Sequence, residues 1–586
     1  MALDFDSVLA DVGDFGMYQY VMYFLICIPA SVPSAWNAFN QVFVAAVPDH
    51  WCRPTATSVN VSVMEDRLRL NRSSNSEADY RYSQCYQFDM NSTNGVLDYG
   101  FMDEEEAYAR LVPCQNGWEY DRSTYDSTIV TDFNLVCDLQ FWPAFCTMMF
   151  YLGSFVGNIL FGYIADRWGR RASFFFILAA QVIVGTANAF APDIYTFTVL
   201  RSIVGLCFPA LYQVPFIIGM ELMGPSSRIF AGMAICVVFG TAMCLLGIVA
   251  SYIRKWSMLT IVCNAPFALL FSYWWFLPES PRWLVSAGEH DKATDILLKI
   301  AKCNNRTVDR AVIRAKCVQI RNSSLRGGRP DGHNILDLFR TPNMRKMTLL
   351  ITYIWFVNAI VYNGLTFNVT NLEVNDYVSF IINGAVEIPA YFITWPLLNR
   401  VGRRWPLCVS MLIGGAACIC TMFVPADKKW VISGLAFVGK FGIAASFAII
   451  YIFAGELYPT VLRAVGMGMS SMVAGVGLLV APYLVYLGLY FRILPLLIMG
   501  GLTVSAGICS MFLPETLGLP LPQTTLDSER FGKHAKFWSC KTVLPRRHSR
   551  APHLADFHLR SSSIAKASTP DEHELLNVPN GDAPLA

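Results

Sequence analysis

Gly-Tyr-Ile-Ala-Asp-Arg-Trp-Gly-Arg-Arg closes one long apolar stretch at residues 162–171, and Leu-Leu-Asn-Arg-Val-Gly-Arg-Arg closes another at 397–404. Their glycines, Gly169 and Gly402, lie 233 positions apart. Two further motif pairs keep that register. Glu221 stands seven residues before Arg228 as Glu456 stands seven before Arg463, an interval of 235, and Pro278-Glu279-Ser280 is matched by Pro514-Glu515-Thr516 at an interval of 236. Three separated motifs at nearly one spacing predict an internal duplication, and internal repeats are a mark of membrane transport folds.

Outward from these motifs the chain is a succession of apolar runs. A helix needs roughly 20 apolar residues, at about 1.5 Å each, to cross a hydrocarbon core. Twelve segments qualify: 21–47, 139–165, 172–192, 194–220, 229–253, 256–278, 347–372, 377–399, 405–426, 430–455, 464–491 and 493–514. The expected fold is an all-α membrane protein of twelve transmembrane helices in two six-helix halves. The expected layout is an N-terminus at 1–20, a first half at 21–278 containing a large extracellular loop at 48–138, a central loop at 279–346, a second half at 347–514 and a disordered tail at 515–586. Composition agrees, with 54% hydrophobic and 15% charged residues, where a soluble domain carries about 25% charged. A net charge of +2 gives no reason to expect nucleic acid. No basic segment precedes the first apolar run, which reads as a retained helix rather than a cleaved signal.

Orientation follows the basic residues of the loops. Arg167, Arg170 and Arg171, then Arg400, Arg403 and Arg404, together with the Lys- and Arg-rich central loop, belong in the cytoplasm. An even number of spans puts both termini there as well, in a cell membrane, with 48–138 outside. That loop holds Cys52, Cys85, Cys114 and Cys137, an even set suited to disulfides, which four cysteines can form in three pairings. It also holds glycosylation sequons at Asn60, Asn71 and Asn91, and Asn368 begins another in Asn-Val-Thr. Asn305 and Asn322 match the pattern on the cytoplasmic side and should remain bare.

Only three charged residues fall inside the spans: Arg201, Glu387 and Lys440. A carboxylate at mid-helix costs roughly 2.5 to 3.5 kcal/mol on insertion scales unless it faces a cavity or a partner. Glu387 is therefore the first candidate for an ammonium site, with a structural pair to Lys440 as the plainer reading. Trp355 and Tyr362, seven apart on one helical face, could offer ring faces to a cation. Arg201 reads as a base that bonds backbone or buried polar groups. No phosphate-binding Gly-x-x-x-x-Gly-Lys-Ser/Thr run occurs, which argues against an ATP-driven pump. All histidines lie outside the spans, and no nucleophile and base set stands out, so neither an enzyme nor a metal or cofactor is expected.

The sequence resembles the major facilitator superfamily and, within it, the organic cation, carnitine and organic anion transporter family. The resemblance rests on Gly117-Trp118-Glu119-Tyr120, Phe133-Asn134-Leu135-Val136-Cys137, Asp166-Arg167-Trp168-Gly169-Arg170-Arg171, Pro278-Glu279-Ser280-Pro281-Arg282-Trp283 and Glu456-Leu457-Tyr458-Pro459-Thr460. It implies two halves that rock about a central cavity. It implies gating ion pairs between the halves from Asp166, the loop arginines and the pairs Glu221/Arg228 and Glu456/Arg463, with Asn399 standing where the second loop usually has Asp. It also implies that Phe447, Tyr451, Tyr212, Gln213 and Asn37 line the cavity beside Trp355 and Tyr362. Gly475 replaces the Asp of cation transporters or the Arg of carnitine and anion transporters, which removes an anchor for carboxylates. The implied substrates are small organic cations or zwitterions, with organic anions second and a transport-inactive ligand-binding receptor as the rival class. Sodium, protons or no coupling ion are all compatible with the sequence. Membrane lipid surrounds the spans, and Asp571 to Leu576 resembles a signal for sorting machinery.

Overall fold

Apolar runs in lipid can satisfy their backbone groups only within themselves, so they form helices. The computed structural model describes residues 5–53, 84–88, 111–326, 335–517, 519, 522 and 525–531, apart from single positions 115, 373, 426, 460 and 492. These all belong to the first of the chain's two units, Met1–Ser539. Among the described residues eleven helices are long and apolar enough to cross a membrane: Met17–Val44, Cys137–Trp168, Arg170–Phe190, Ile194–Glu221, Phe230–Tyr252, Trp256–Trp275, Pro342–Asn371, Asp376–Arg400, Arg404–Phe423, Lys429–Leu457 and Arg463–Leu489. The expected twelfth is a shorter apolar helix of 17 residues, Leu494–Ser510. Below they are called the first to twelfth spans.

Proline shapes two of them. The first span passes through a π turn at Tyr23–Cys27 and a 3-10 turn at Pro29–Ser31 before the α-helix Val32–Phe39. Pro29 and Pro33 lack the N–H that a continuous ladder requires. The sixth span is α-helical over Trp256–Asn264 and 3-10 over Ala265–Trp275, the change falling at Pro266.

The duplicated motifs fold alike. Gly169 (φ +98°) and Gly402 (φ +111°) occupy a backbone region that favours glycine, and each lets a new helix start at once. The exposed N–H groups of those helix starts bind a carboxylate, as helix N-termini do. Glu279 accepts from the amides of Arg170 at 2.8 Å and Arg171 at 3.2 Å. Glu515 accepts from those of Arg403 at 2.9 Å and Arg404 at 3.1 Å. In this conformation the described loop residues pair inside their own half. Arg170 pairs with Asp166 at 2.5 Å and Arg403 with Glu456 at 2.8 Å, each within one half. Arg228 pairs with Asp6 at 2.7 Å, Arg167 reaches the Tyr163 hydroxyl, and Glu221 takes a hydrogen bond from Ser280. Arg400 is exposed, and Nε and Nη2 of Arg463 have no partner.

At this arginine-rich end an N-terminal helix, Phe5–Val12, buries Phe5, Val8, Leu9 and Val12 against the central-loop helices His290–Cys303 and Arg310–Arg326. Asn304 ties it to the first span, accepting from the Tyr18 amide and donating to Gln19.

The halves meet along two matched pairs of spans, the second against the eleventh and the fifth against the eighth. The duplication exchanges these pairs, so one contact is the repeat of the other. Within the first half, Gly157 allows the second and fourth spans to touch, since a Cβ there would lie 1.9 Å from the Leu206 carbonyl oxygen. At the opposite end the strand His50–Cys52 pairs with Trp118–Tyr120, and Tyr86–Phe88 with Leu111–Pro113. Of the three pairings open to the cysteines, the structure has Cys52–Cys114 and Cys85–Cys137. Asn60, Asn71 and Asn91 lie outside the described residues. Asn368 is 1% exposed and accepts a bond from Asn371.

The disulfide end also clamps the halves together. The Tyr125 hydroxyl donates to Asp376 Oδ2 at 2.6 Å, Tyr377 donates to the Thr124 carbonyl at 3.0 Å, and the Tyr377 ring stacks on Phe43. Burial and the neighbouring Asp376 push the Tyr125 phenol well above its usual range, so it stays a donor. Tyr125→Phe removes this bond. Spin labels at positions 126 and 378 should then show a longer distance component than in the unmutated clamp, and an unchanged distribution would mean that Tyr125 does not hold this end shut.

Candidate functional site

The eighth span carries Glu387 at its middle, and three helices of the second half converge on it. Lys440, from the tenth span, places Nζ 2.9 Å from Glu387 Oε1. Tyr362, from the seventh, donates its hydroxyl to Oε2 at 2.9 Å, and Tyr391, one turn along the eighth span, donates to the same oxygen at 3.0 Å. The Lys440 ammonium also donates to Thr366 Oγ1 at 2.7 Å and to the Tyr362 carbonyl at 3.2 Å, and it lies 3.3 Å from the centre of the Tyr362 ring. Glu387 and Lys440 are both completely buried. The pair with Lys440, one of the two readings of Glu387 in the sequence, is what the structure has.

Its energetics depend on completeness. Two charges withdrawn from water are tolerated when paired and hydrogen-bonded, whereas removing one partner typically costs about 3–5 kcal/mol. The two tyrosine hydroxyls and Thr366 supply the remaining bonds.

Aromatic side chains extend the cluster. Phe447 stands 5.3 Å from the Tyr362 ring and 5.5 Å from Tyr451, and Tyr451 stands 4.4 Å from Trp355. Trp355 is buried, yet its indole N–H has no partner. A buried donor without a protein partner calls for an explanation. The first half approaches through Tyr212, which is within electrostatic reach of Tyr451, and through Met243, whose sulfur lies 3.9 Å from the Tyr362 hydroxyl oxygen. Cys236, on the fifth span, lies within reach of Glu387. Gln213 is partly buried beside Tyr212.

Two sequence candidates fall elsewhere. Asn37 donates to the Pro33 and Cys263 carbonyls, and its own carbonyl accepts from Arg201 at 2.7 Å. Arg201 also bonds Asn40 and lies over the Phe150 ring at 4.4 Å, the role in backbone and buried polar bonding expected of it. Gly475 faces Phe155 of the second span, where an added Cβ would come within 3.0 Å of the ring. Tyr391, Thr366, Met243 and Cys236 are the members not singled out from the sequence. The first two stand four residues after Glu387 and Tyr362, a helical spacing that signals contact. The last two come from the other half and carry no such signal.

Comparison with known proteins gives the family. The family model described as sugar (and other) transporter matches residues 74–526. The chain is 52% identical over 535 residues to organic cation transporter 1 of Caenorhabditis elegans, covering 90% of this chain and 89% of that one. The chain belongs to the major facilitator superfamily, within its sugar and other transporter family. It is a multi-pass membrane protein of transporter type and not an enzyme. A carcinine transporter of Drosophila melanogaster is 41% identical over 549 residues, covering 92% of this chain and 81% of that one. Among solved structures, the superfamily's proton:xylose symporter XylE, known from E. coli, aligns with a TM-score of 0.53 at 17% identity, over 88% of this chain and 98% of that one. At that identity the likeness shows the shared fold.

The completeness of the pair gives a stability prediction for this transporter. Lys440→Met should lower the midpoint of thermal unfolding in detergent by more than the double variant Glu387→Gln/Lys440→Met does, because the double variant leaves no buried charge alone. Additive losses from the two substitutions would contradict a coupled pair.

Proposed function

We propose that this protein moves small organic cations, and amine-bearing zwitterions, across the cell membrane by alternating access of its two six-helix halves. The observation that carries the reading is the cradle at Glu387. A carboxylate, the ring of Tyr362 and the further rings of Phe447, Tyr451 and Trp355 form the chemistry that binds an ammonium. Relatives named for organic cations and for carcinine favour amines over anions. Organic anions rank second, since Lys440 is the only basic side chain of the cradle and it is engaged by Glu387.

The arginine-rich loops and both termini lie in the cytoplasm in this reading, and 48–138 lies outside. Disulfides at one end and basic loops at the other support that orientation. The halves span 21–278 and 347–514, joined by the central loop at 279–346. With the disulfide end clamped, the site would open toward the arginine end. Rocking breaks the clamp at Tyr125 and opens the other side, while the loop pairs within each half move as rigid units. Lipid surrounds the spans, and nucleic acid has no place in the reading. Asp571 to Leu576, the suggested sorting signal, lies outside the described residues. Inward movement of a cation gains about 2.3 kcal/mol per charge per 100 mV of membrane potential, so a coupling ion is not required by energetics.

The test is uptake by expressing cells of a choline-like cation, carnitine, an amine conjugate and an aryl anion, with Glu387→Gln at matched surface level. Loss of a hydrogen-bonded charge contact of about 1.5–3 kcal/mol should reduce amine uptake by roughly tenfold to a hundredfold. Accumulation of the aryl anion, with Glu387→Gln leaving all uptake unaltered, would overturn the reading.

A further inference from the structure

The seat for an ammonium at Glu387 is filled by the chain itself. Lys440 Nζ has a carboxylate at 2.9 Å, a ring centre at 3.3 Å, a hydroxyl at 2.7 Å and a backbone carbonyl at 3.2 Å. A substrate ammonium is drawn by the same carboxylate and ring face, so it can reach Glu387 only by displacing a tethered rival.

Resting on the transport reading above, we propose that binding is an exchange of ion pairs. The substrate ammonium takes the place of Nζ on Glu387, and the released Lys440 ammonium takes the substrate's carboxylate. Lys440 thereby determines specificity, selecting compact zwitterions, with the two charges on a short chain, over cations that carry no acid.

In a medium of low dielectric, buried charge must stay paired. The Glu387–Lys440 pair is neutral and fully enclosed. A simple cation that displaces Nζ satisfies Glu387 but leaves Lys440 charged and alone, and an unpaired buried charge is strongly unfavourable. A zwitterion converts one pair into two and leaves no charge alone. The spacing must be short, because the two seats are adjacent and Nζ can withdraw only as far as its four-carbon stem allows. A lysine suits the task, being a compact charge with three rotatable donors on a flexible stem. Groups around the pair are poised to follow the exchange. Tyr362 and Tyr391 already hold the other carboxylate oxygen and keep Glu387 in place as Nζ leaves. The Trp355 N–H, unpartnered beside Tyr451, is a donor free for a substrate oxygen.

Two probes separate the ideas: 3-(trimethylammonio)propanoate, and ethyltrimethylammonium, which is the same cation without its carboxylate. Both carry a permanent charge, so neither leaks across as a neutral amine. Uptake is measured with the full-length protein in cells at matched surface level. Wild type should take up the betaine at least tenfold faster than the cation. In Lys440→Gln betaine uptake should fall at least tenfold while cation uptake rises, reversing the preference, and Lys440→Arg should restore part of it. Glu387→Gln should depress both probes, which tests the parent reading separately. Equal loss of both probes in Lys440→Gln, with Lys440→Arg active, would reduce Lys440 to a structural partner and overturn the exchange. If Lys440→Gln does not reach the surface, the wild type decides, since equal uptake of the two probes would also overturn it.

Discussion

One ion pair organises the second half of this protein. Lipid and packed helices surround Glu387 and Lys440, and neither charge could remain there without the other. That requirement fixes the approach of the seventh, eighth and tenth spans and directs Tyr362, Tyr391 and Thr366 toward the pair. It also creates the chemistry of the site. The features that stabilise a buried lysine, namely a carboxylate, a ring face and hydroxyl oxygens, are those that attract a foreign ammonium.

The rest of the architecture serves to bring such a site to alternate sides of a membrane. Duplicated loops start helices at Arg170 and Arg404 under the carboxylates of Glu279 and Glu515, which makes the arginine-rich end of each half self-contained. The bonds of Tyr125 and Tyr377 at the disulfide end run from one half to the other. An end whose pairs close within each half can part without breaking them, whereas the clamped end must give up bonds to open. A conformational change then costs a few partly buried hydrogen bonds, and the Glu387–Lys440 pair is left intact until a ligand competes for it.

Much of this was legible in the sequence because membranes impose simple rules. Span positions followed from apolar length, the duplication from repeated motifs, and Glu387, Lys440 and Arg201 from being the only charges inside the spans. Partner choice was less legible, since it depends on which way each side chain points. The loop arginines bond their own half, and Asn37 serves Arg201 in place of the central cluster. Phe5, Val8, Leu9 and Val12 carry the spacing of an amphipathic helix, yet a short segment before the first span gives no sign of what it covers until the central-loop helices are placed. Met243 and Cys236 reach the site from the opposite half, and nothing local in the sequence announces that. Pro29, Pro33 and Pro266 lie in or beside the 3-10 turns, where a missing N–H breaks the ladder.

The central claim is that the Glu387 carboxylate exchanges Lys440 for the ammonium of a substrate. An experimental structure of the transporter with a bound amine tests it most directly. The account predicts the substrate nitrogen about 3 Å from a Glu387 oxygen, near the Tyr362 ring, with Lys440 Nζ withdrawn from that carboxylate. An amine bound elsewhere, with the Glu387–Lys440 pair still closed, would contradict it.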